Sequence, residues 1–202
     1  MDTLRLLALA TEEFRRRLLD VGEDQWDLPS DCEPWTVTQL VAHVVAGNAL
    51  AAALAAGAST DDAKVVYAEA EASLDGSAPG GGTATGATVL AAFDRSAADQ
   101  IEGFDRPGVL ERVLHHPAFD MPGEMVLGFR IGDLTVHGWD LARSTGGDLD
   151  IRPELVEAVW GQVAPMGDMI AASGMFGDGP SGTVPEDAAL QTRLLDLMGR
   201  RP

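Results

Sequence analysis

Residues 125–144 have the sequence MVLGFRIGDLTVHGWDLARS, in which polar and apolar side chains separate cleanly around a helix. At about 100° per residue, one narrow polar stripe forms, and its members are Arg130, Asp133, His137, Asp140 and Ser144. Apolar residues flank it on both sides: Leu127, Ile131, Leu134 and Leu141 on one, Met125, Phe129, Val136 and Trp139 on the other. A polar stripe between two apolar ones predicts a helix whose charged groups point into the core.

The inward stripe needs compensation, because a charged group buried without a partner is strongly destabilising. Asp133 and His137 are its best metal ligands. Residues at i and i+4 lie one turn apart on the same helix face, so a helix can offer both to one ion. The spacing therefore makes a metal site one hypothesis for this stripe.

A third candidate ligand, His43, comes from an earlier helix. The apolar residues on its face of that helix are Leu40, Leu50 and Leu54, so His43 is also expected to point inward. Gly47, one turn further along, removes a side chain beside the imidazole and could leave room for a ligand or solvent. Two imidazoles and a carboxylate with an open position are typical of catalytic rather than structural zinc.

A structural interpretation of the same residues stays open at this point. A single inward histidine is commonly a hydrogen-bonded core residue, and Asp133 could pair with Arg130 or Arg143 instead of a metal. In that case the bundle would serve as a dimerisation module. Spacing alone does not favour either hypothesis.

The rest of the chain is predicted to be helical as well. Helical periodicity or capping signals mark, in chain order, residues 3–20, 36–57, 87–104, 123–145, 153–164 and 186–198, with a weaker pattern over 63–74. Proline- or glycine-rich irregular segments are expected over 24–34, 76–86, 106–122 and 174–182. No run alternates with period two. The predicted fold is all-α, a four-helix bundle with an additional short C-terminal helix, in a single domain over 1–202.

Composition restricts the partners and the compartment. Asp and Glu total 32 against 14 Lys and Arg, and the net charge of −18 repels nucleic acid and anionic lipid surfaces. The longest apolar stretch, 40–57, contains His43 and Asn48 and falls short of a membrane span. Cys32 is the only cysteine and the first residues lack a secretory signal, so a cytoplasmic location is expected. The alanine-rich second helix offers a surface for a homodimer.

Two strings resemble a known family. WTVTQLVAH at 35–43 and RIGDLTVHGWDLAR at 130–143 are similar to signature segments of the actinobacterial branch of the DinB-like proteins. That branch includes the metal-binding domain of mycothiol-dependent maleylpyruvate isomerase, and the similarity extends to the tail, 176–200. The resemblance implies a DinB-like bundle in which His43, Asp133 and His137 hold the metal. The isomerase has a glutamate where this chain has Asp133, which is one methylene shorter.

The resemblance also implies a function. It suggests a mycothiol-dependent transferase or isomerase, in which a thiol is conjugated to a small-molecule electrophile or added reversibly across a double bond. Zinc is the expected metal, while nickel, iron and cobalt suit the same donors. The alternative is a non-catalytic, metal-stabilised protein that binds a small molecule.

The sequence also suggests roles for several other residues. Arg130 is a candidate anchor for a substrate carboxylate or a structural partner of Asp133 or Asp140, and Asp140 is a candidate to orient a ligand imidazole. The pair His115 and His116 is expected on a surface loop. Cys32 is not expected to be a nucleophile. Trp26 and Trp35 are expected to anchor the loop that carries it.

Overall fold

The computed structural model describes residues 2–77, 84–173 and 179–202. The chain divides into two compact units, Met1–Leu149 and Asp150–Pro202. A single domain over 1–202 therefore stays a prediction. Within the two predicted glycine-rich loops, residues 78–83 and 174–178 lie outside the described residues.

The first unit is a bundle built from helices α1 (Thr3–Leu19), α2 (Val37–Ala56), α3 (Thr60–Asp75), α4 (Gly86–Phe104) and α5 (Gly123–Thr145). Helices α1 and α2 each pack against both α4 and α5, which closes a four-helix arrangement, and α3 lies along the outside of α2. The prediction of an all-α fold with a four-helix bundle is confirmed, and the bounds of α5 coincide with the predicted 123–145.

The core follows from the periodicity of the helices. On α1, Leu7, Phe14 and Leu18 are buried at intervals of seven and four residues, and Phe14 stacks on Phe93 of α4 with ring centroids 5.0 Å apart. Helix α2 begins at the predicted cap, where Thr36 and Gln39 form a complete capping box. The stacked rings pack α1 against α4, and the capping box sets where α2 begins.

Helix α2 is the one helix of the described residues that is long and apolar enough to cross a membrane. Its 18-residue apolar window is 67% buried inside the bundle, as expected for the central helix of a packed core. Length and composition are thus weak evidence for a span. The burial explains the composition without a membrane.

Two parts of the first unit differ from the prediction. The segment 106–122 contains an antiparallel hairpin of β1 (Val113–His115) and β2 (Asp120–Pro122), in which Leu114 faces Met121 and both are buried. Strands of three residues are too short to display period-two alternation, so the expectation of a wholly irregular segment was wrong. Helix α3 also extends beyond the predicted range of 63–74. Few of its residues are fully buried, so its sequence shows only a weak helical pattern.

The second unit contains α6 (Pro153–Val163), a 3₁₀ turn (Ala164–Met166), α7 (Gly167–Ser173) and α8 (Leu190–Leu197). Pro165 lies in the 3₁₀ turn that ends α6, close to the predicted end of this helix at residue 164. Helix α6 packs against α8. The last helix is shorter than the predicted 186–198, since the chain forms a turn between Pro185 and Ala188 before α8 begins.

Burial of the α1 face can be tested with two substitutions on that helix. We expect Phe14→Ala to lower the free energy of unfolding by about 3–5 kcal/mol, because the ring is fully buried against Phe93. Leu19→Ala, at a position 54% exposed, should change it by less than about 0.5 kcal/mol. Urea unfolding followed by circular dichroism measures both, and equal losses would contradict this packing.

Candidate metal centre

The three predicted ligands meet where α2 faces α5. His43 extends from α2, while Asp133 and His137 lie one turn apart on α5. The Nε2 atoms of His43 and His137 lie 3.6 and 3.4 Å from the same oxygen, Oδ1 of Asp133. The three ligand atoms of this group all lie within 4.8 Å of one another. A small cation could therefore be reached by all three groups after minor adjustment.

Hydrogen bonds on the far side of each imidazole orient the two rings. Nδ1 of His137 lies 2.9 Å from Oδ2 of Asp140, and Nδ1 of His43 lies 2.7 Å from the hydroxyl oxygen of Tyr67. A neutral imidazole has one donor and one acceptor nitrogen. If both Nδ1 atoms carry the proton, both Nε2 lone pairs face Asp133. Metal-binding histidines are characteristically held in this way.

The third ligand, Asp133, is oriented by a guanidinium. Nη1 of Arg130 donates to its Oδ2 at 2.6 Å, which leaves Oδ1 facing the two imidazoles. The other acceptors of Arg130 are Gln100 Oε1 on α4 and, on α2, Asn48 Oδ1 and the Val44 carbonyl. Arg130 is only 8% exposed. The pairing with Asp133 considered from sequence is therefore present, and the same guanidinium binds three helices together.

Gly47 makes room for Arg130, which corrects its expected role. A Cβ at position 47 would lie 2.7 Å from Cζ of Arg130, far inside van der Waals contact. The space beside the α2 backbone is thus filled by the guanidinium and is not open to a ligand or solvent. Arg143, the other cation considered for Asp133, forms an ion pair with Asp31 at 3.1 Å.

The carboxylates determine the charge of the cluster. Burial opposes ionisation of Asp133, but Arg130 and His137 outweigh it and hold the pKa of Asp133 well below its usual range. Burial also lowers the pKa of His137, yet Asp133 and Asp140 reverse this and raise it to about 9. Without a metal, His137 is therefore a cation at neutral pH, and a metal ion that uses its Nε2 must displace a proton.

Trp35 covers the two histidines. Its ring centroid lies 4.6 Å from that of His43 and 6.1 Å from that of His137. From sequence, Trp35 was predicted only to anchor the loop before α2. Trp26 anchors this loop: its side chain is buried, and its backbone carbonyl accepts a hydrogen bond from the Thr38 hydroxyl. The side chains of His43 and Asp133 remain about a quarter exposed, so the cluster is open to solvent on one side.

A second set of metal-binding groups shares His137. Cys32 lies with His137 and Asp140 so that one ligand atom of each is within 4.8 Å of the others. His137 and Asp140 already share a hydrogen bond of 2.9 Å, and an ion placed among these three groups would have to replace it. The set of His43, Asp133 and His137 keeps that bond, which favours it as the metal site.

The residues that form this cluster lie inside a recognisable family domain. Residues 7–142 match the family model described as the mycothiol maleylpyruvate isomerase N-terminal domain. The chain belongs to this family. The resemblance seen in the two strings is thereby confirmed, while the similarity of the tail, 176–200, lies outside the matched residues and stays a prediction.

Two curated relatives of this chain are uncharacterized proteins of Mycobacterium tuberculosis, from strains CDC 1551 / Oshkosh and ATCC 25618 / H37Rv. Each is 32% identical over 155 residues, which is 77% of this chain and 74% of the relative. Two solved structures are also similar. They are mycothiol-dependent maleylpyruvate isomerase, with a TM-score of 0.61 at 17% identity, and a histidine-to-alanine mutant of it, with 0.64 at 19%. Both cover 82% of this chain and 68% of the solved chain, and they show a shared fold.

Two groups of residues around the site were not predicted from the sequence. Tyr67 on α3 was not considered, because α3 has a weak pattern and nothing links it to His43 in sequence. Burial raises the pKa of Tyr67, and the nearby Glu71 raises it further, so the hydroxyl keeps its proton. Asn48 and Gln100 were missed too, although both are fully buried polar residues next to Arg130. An inward asparagine on an apolar helix was the available signal.

The pair His115 and His116 separates on the hairpin. His115 is 61% exposed and pairs with Asp120 at 3.0 Å, which agrees with the expected surface role. His116 is half-buried beside Phe129 of α5, with ring centroids 6.5 Å apart. Phe129 and Met125, which flank the polar stripe at the start of α5, are half-buried and exposed respectively.

The close approach of α2 to Arg130 gives a test of the cluster. Gly47→Ala should lower the free energy of unfolding by about 1–3 kcal/mol, because the added methyl forces the guanidinium off Asp133. Gly138→Ala on α5 is the matched control, since its Cβ would have only ordinary contacts of 3.6 Å or more. Thermal unfolding compares them, and a Gly47→Ala variant as stable as the control would refute this account.

Proposed function

We propose that the protein binds one divalent metal ion through His43, Asp133 and His137 and uses it to activate a thiol. The observation that carries this proposal is the convergence of both Nε2 atoms on Asp133 Oδ1, while the outer atoms Nδ1 and Oδ2 are bonded to other groups. Family membership supports mycothiol as the thiol. The reaction would be transfer of the thiol to a small electrophile, or an isomerisation through reversible addition.

The residues of the cluster fit a borderline-soft divalent cation such as zinc. Two imidazole nitrogens and one carboxylate oxygen form the usual three-ligand set, and the partial exposure of His43 and Asp133 provides an approach for a fourth ligand. When bound there, such an ion would lower the pKa of a thiol and so favour the nucleophilic thiolate. Nickel suits the same donors, and the native metal is a matter of availability.

We assign Arg130 and Asp140 to positioning rather than to contact with a substrate. Asp140 is fully buried and holds Nδ1 of His137, while Arg130 donates to acceptors on three helices. A substrate carboxylate would have to displace Asp133, Asn48 or Gln100 to reach the guanidinium. Arg130 therefore keeps one oxygen of Asp133 occupied, so that the other is available for the ion.

Metal content is the first test. Protein purified without a polyhistidine tag should contain close to one equivalent of zinc or nickel by elemental analysis, and His137→Ala should lose it. His115→Ala is the matched control, because this substitution removes an exposed histidine that belongs to the hairpin. Folded wild-type protein that lacks metal and takes up neither added zinc nor added nickel would eliminate the proposal.

Thiol chemistry is tested separately. Metal-loaded protein should accelerate the reaction of mycothiol with members of an electrophile panel, and chelation or the His43→Ala substitution should abolish the acceleration. The rate is followed by loss of free thiol, with metal-loaded His115→Ala as the control. Metal binding without thiol-dependent turnover across the panel would contradict the enzymatic part of the proposal.

That outcome would favour the second candidate, a non-catalytic, metal-stabilised protein that binds a small molecule. The enclosure of Arg130 and Asp140 supports this candidate, because it removes both residues as groups that could act directly on a substrate. In either case we propose a small molecule as the partner. A cytoplasmic location, a homodimer and a single domain over 1–202 remain part of the proposal.

A further inference from the structure

Helix α3 contributes a hydrogen-bonded chain that ends at one of the proposed ligands. The hydroxyl of Tyr67 lies 2.7 Å from Nδ1 of His43 and donates to Oε1 of Glu71 at 3.1 Å. Tyr67 and Glu71 are four residues apart and share one face of the helix. The chain therefore runs from the imidazole through a phenol to a carboxylate.

If the Tyr67 hydroxyl donates to Glu71, the tautomer of His43 follows. An ionised carboxylate can only accept, so the single proton of the Tyr67 hydroxyl is committed to Glu71. The phenol oxygen then has only lone pairs to offer to His43, and Nδ1 must supply the proton of their hydrogen bond. This leaves Nε2 of His43 as a lone pair directed at Asp133.

Tyr67 and Glu71 contribute little to the packing of α3 against the bundle. Its fully buried residues are Ala63 and Leu74, one at each end, whereas Tyr67 and Glu71 lie between them and are half-buried. Trp35 lies against the ring of His43 at 4.6 Å, so the imidazole is held by a ring contact and by the phenol. His137 is held by Asp140 from its own helix, but His43 depends on α3.

We propose that Tyr67 is a positioning residue of the metal centre, which together with Glu71 holds His43 in the metal-binding tautomer and orientation. This inference rests on the proposed metal site and adds α3 to it. Partners of this kind typically change metal affinity by 10–100-fold. They touch neither the metal nor the substrate, so their effect is on binding of the ion.

The test is zinc affinity measured by competition with a zinc-sensitive chelating dye, on the untagged full chain. Tyr67→Phe removes only the hydroxyl and should weaken zinc binding by about 10–100-fold, while the metal-free variant remains folded. Lys64→Ala, at an exposed position of the same helix, is the control and should leave the affinity unchanged. Since Tyr67 is the only tyrosine, it can be labelled in the ring to give a single NMR signal that should shift on zinc addition.

A second pair of variants keeps the test independent of how Tyr67→Phe folds. Glu71→Gln retains an oxygen acceptor for the phenol and should bind zinc more tightly than Glu71→Leu, which has none. Equal affinities of wild type and Tyr67→Phe, or of the two Glu71 variants, would overturn the inference while leaving the metal site in place. Wild-type protein that binds no zinc would overturn the metal site, and the inference with it.

Discussion

The ion pair between Arg130 and Asp133 is the interaction on which the rest of the bundle interior depends. Both residues belong to α5, and the guanidinium is almost completely enclosed where α2, α4 and α5 meet. Removing one partner of a buried pair typically costs about 3–5 kcal/mol, because the other charge is left uncompensated. The surrounding residues are therefore constrained to serve the pair.

Those constraints extend to helices that contribute no charge. A Cβ at position 47 would collide with the guanidinium in its present place, which favours glycine there, and Asn48 and Gln100 supply oxygens to the same group. The fit is incomplete at one atom, because Nε2 of Gln100 has no partner among the described residues. A buried donor without a partner is destabilising. The hydrogen bond from Arg130 to Gln100 is therefore made at some cost in stability. The position of Arg130 in turn determines which oxygen of Asp133 faces the histidines.

The residues that could be predicted from sequence are those that share one face of a single helix. The polar stripe of α5 identified Arg130, Asp133, His137 and Asp140 together, because a 3.6-residue period places them on one face. His43 could be added because Leu40, Leu50 and Leu54 lie on the same face of α2. Contacts between helices could not be obtained this way: Tyr67 is 24 residues from His43, on a helix with too few buried residues to show its orientation. The role of Gly47 was misjudged for the same reason, since only the fold shows that Arg130 fills the space beside it.

The charges of the cluster differ between the metal-free protein and the proposed metal-bound protein. Without a metal, the carboxylates of Asp133 and Asp140 are balanced by Arg130 and by the imidazolium of His137, whose pKa of about 9 keeps it protonated at neutral pH. In the metal-free protein these opposite charges compensate one another inside the bundle. At the proposed site, a divalent ion in place of the proton on His137 would raise the summed charge of these groups from zero to plus one. Glu71, linked to His43 through the Tyr67 hydroxyl, contributes a further carboxylate, so three carboxylates together with Arg130 would balance a divalent ion at the proposed site.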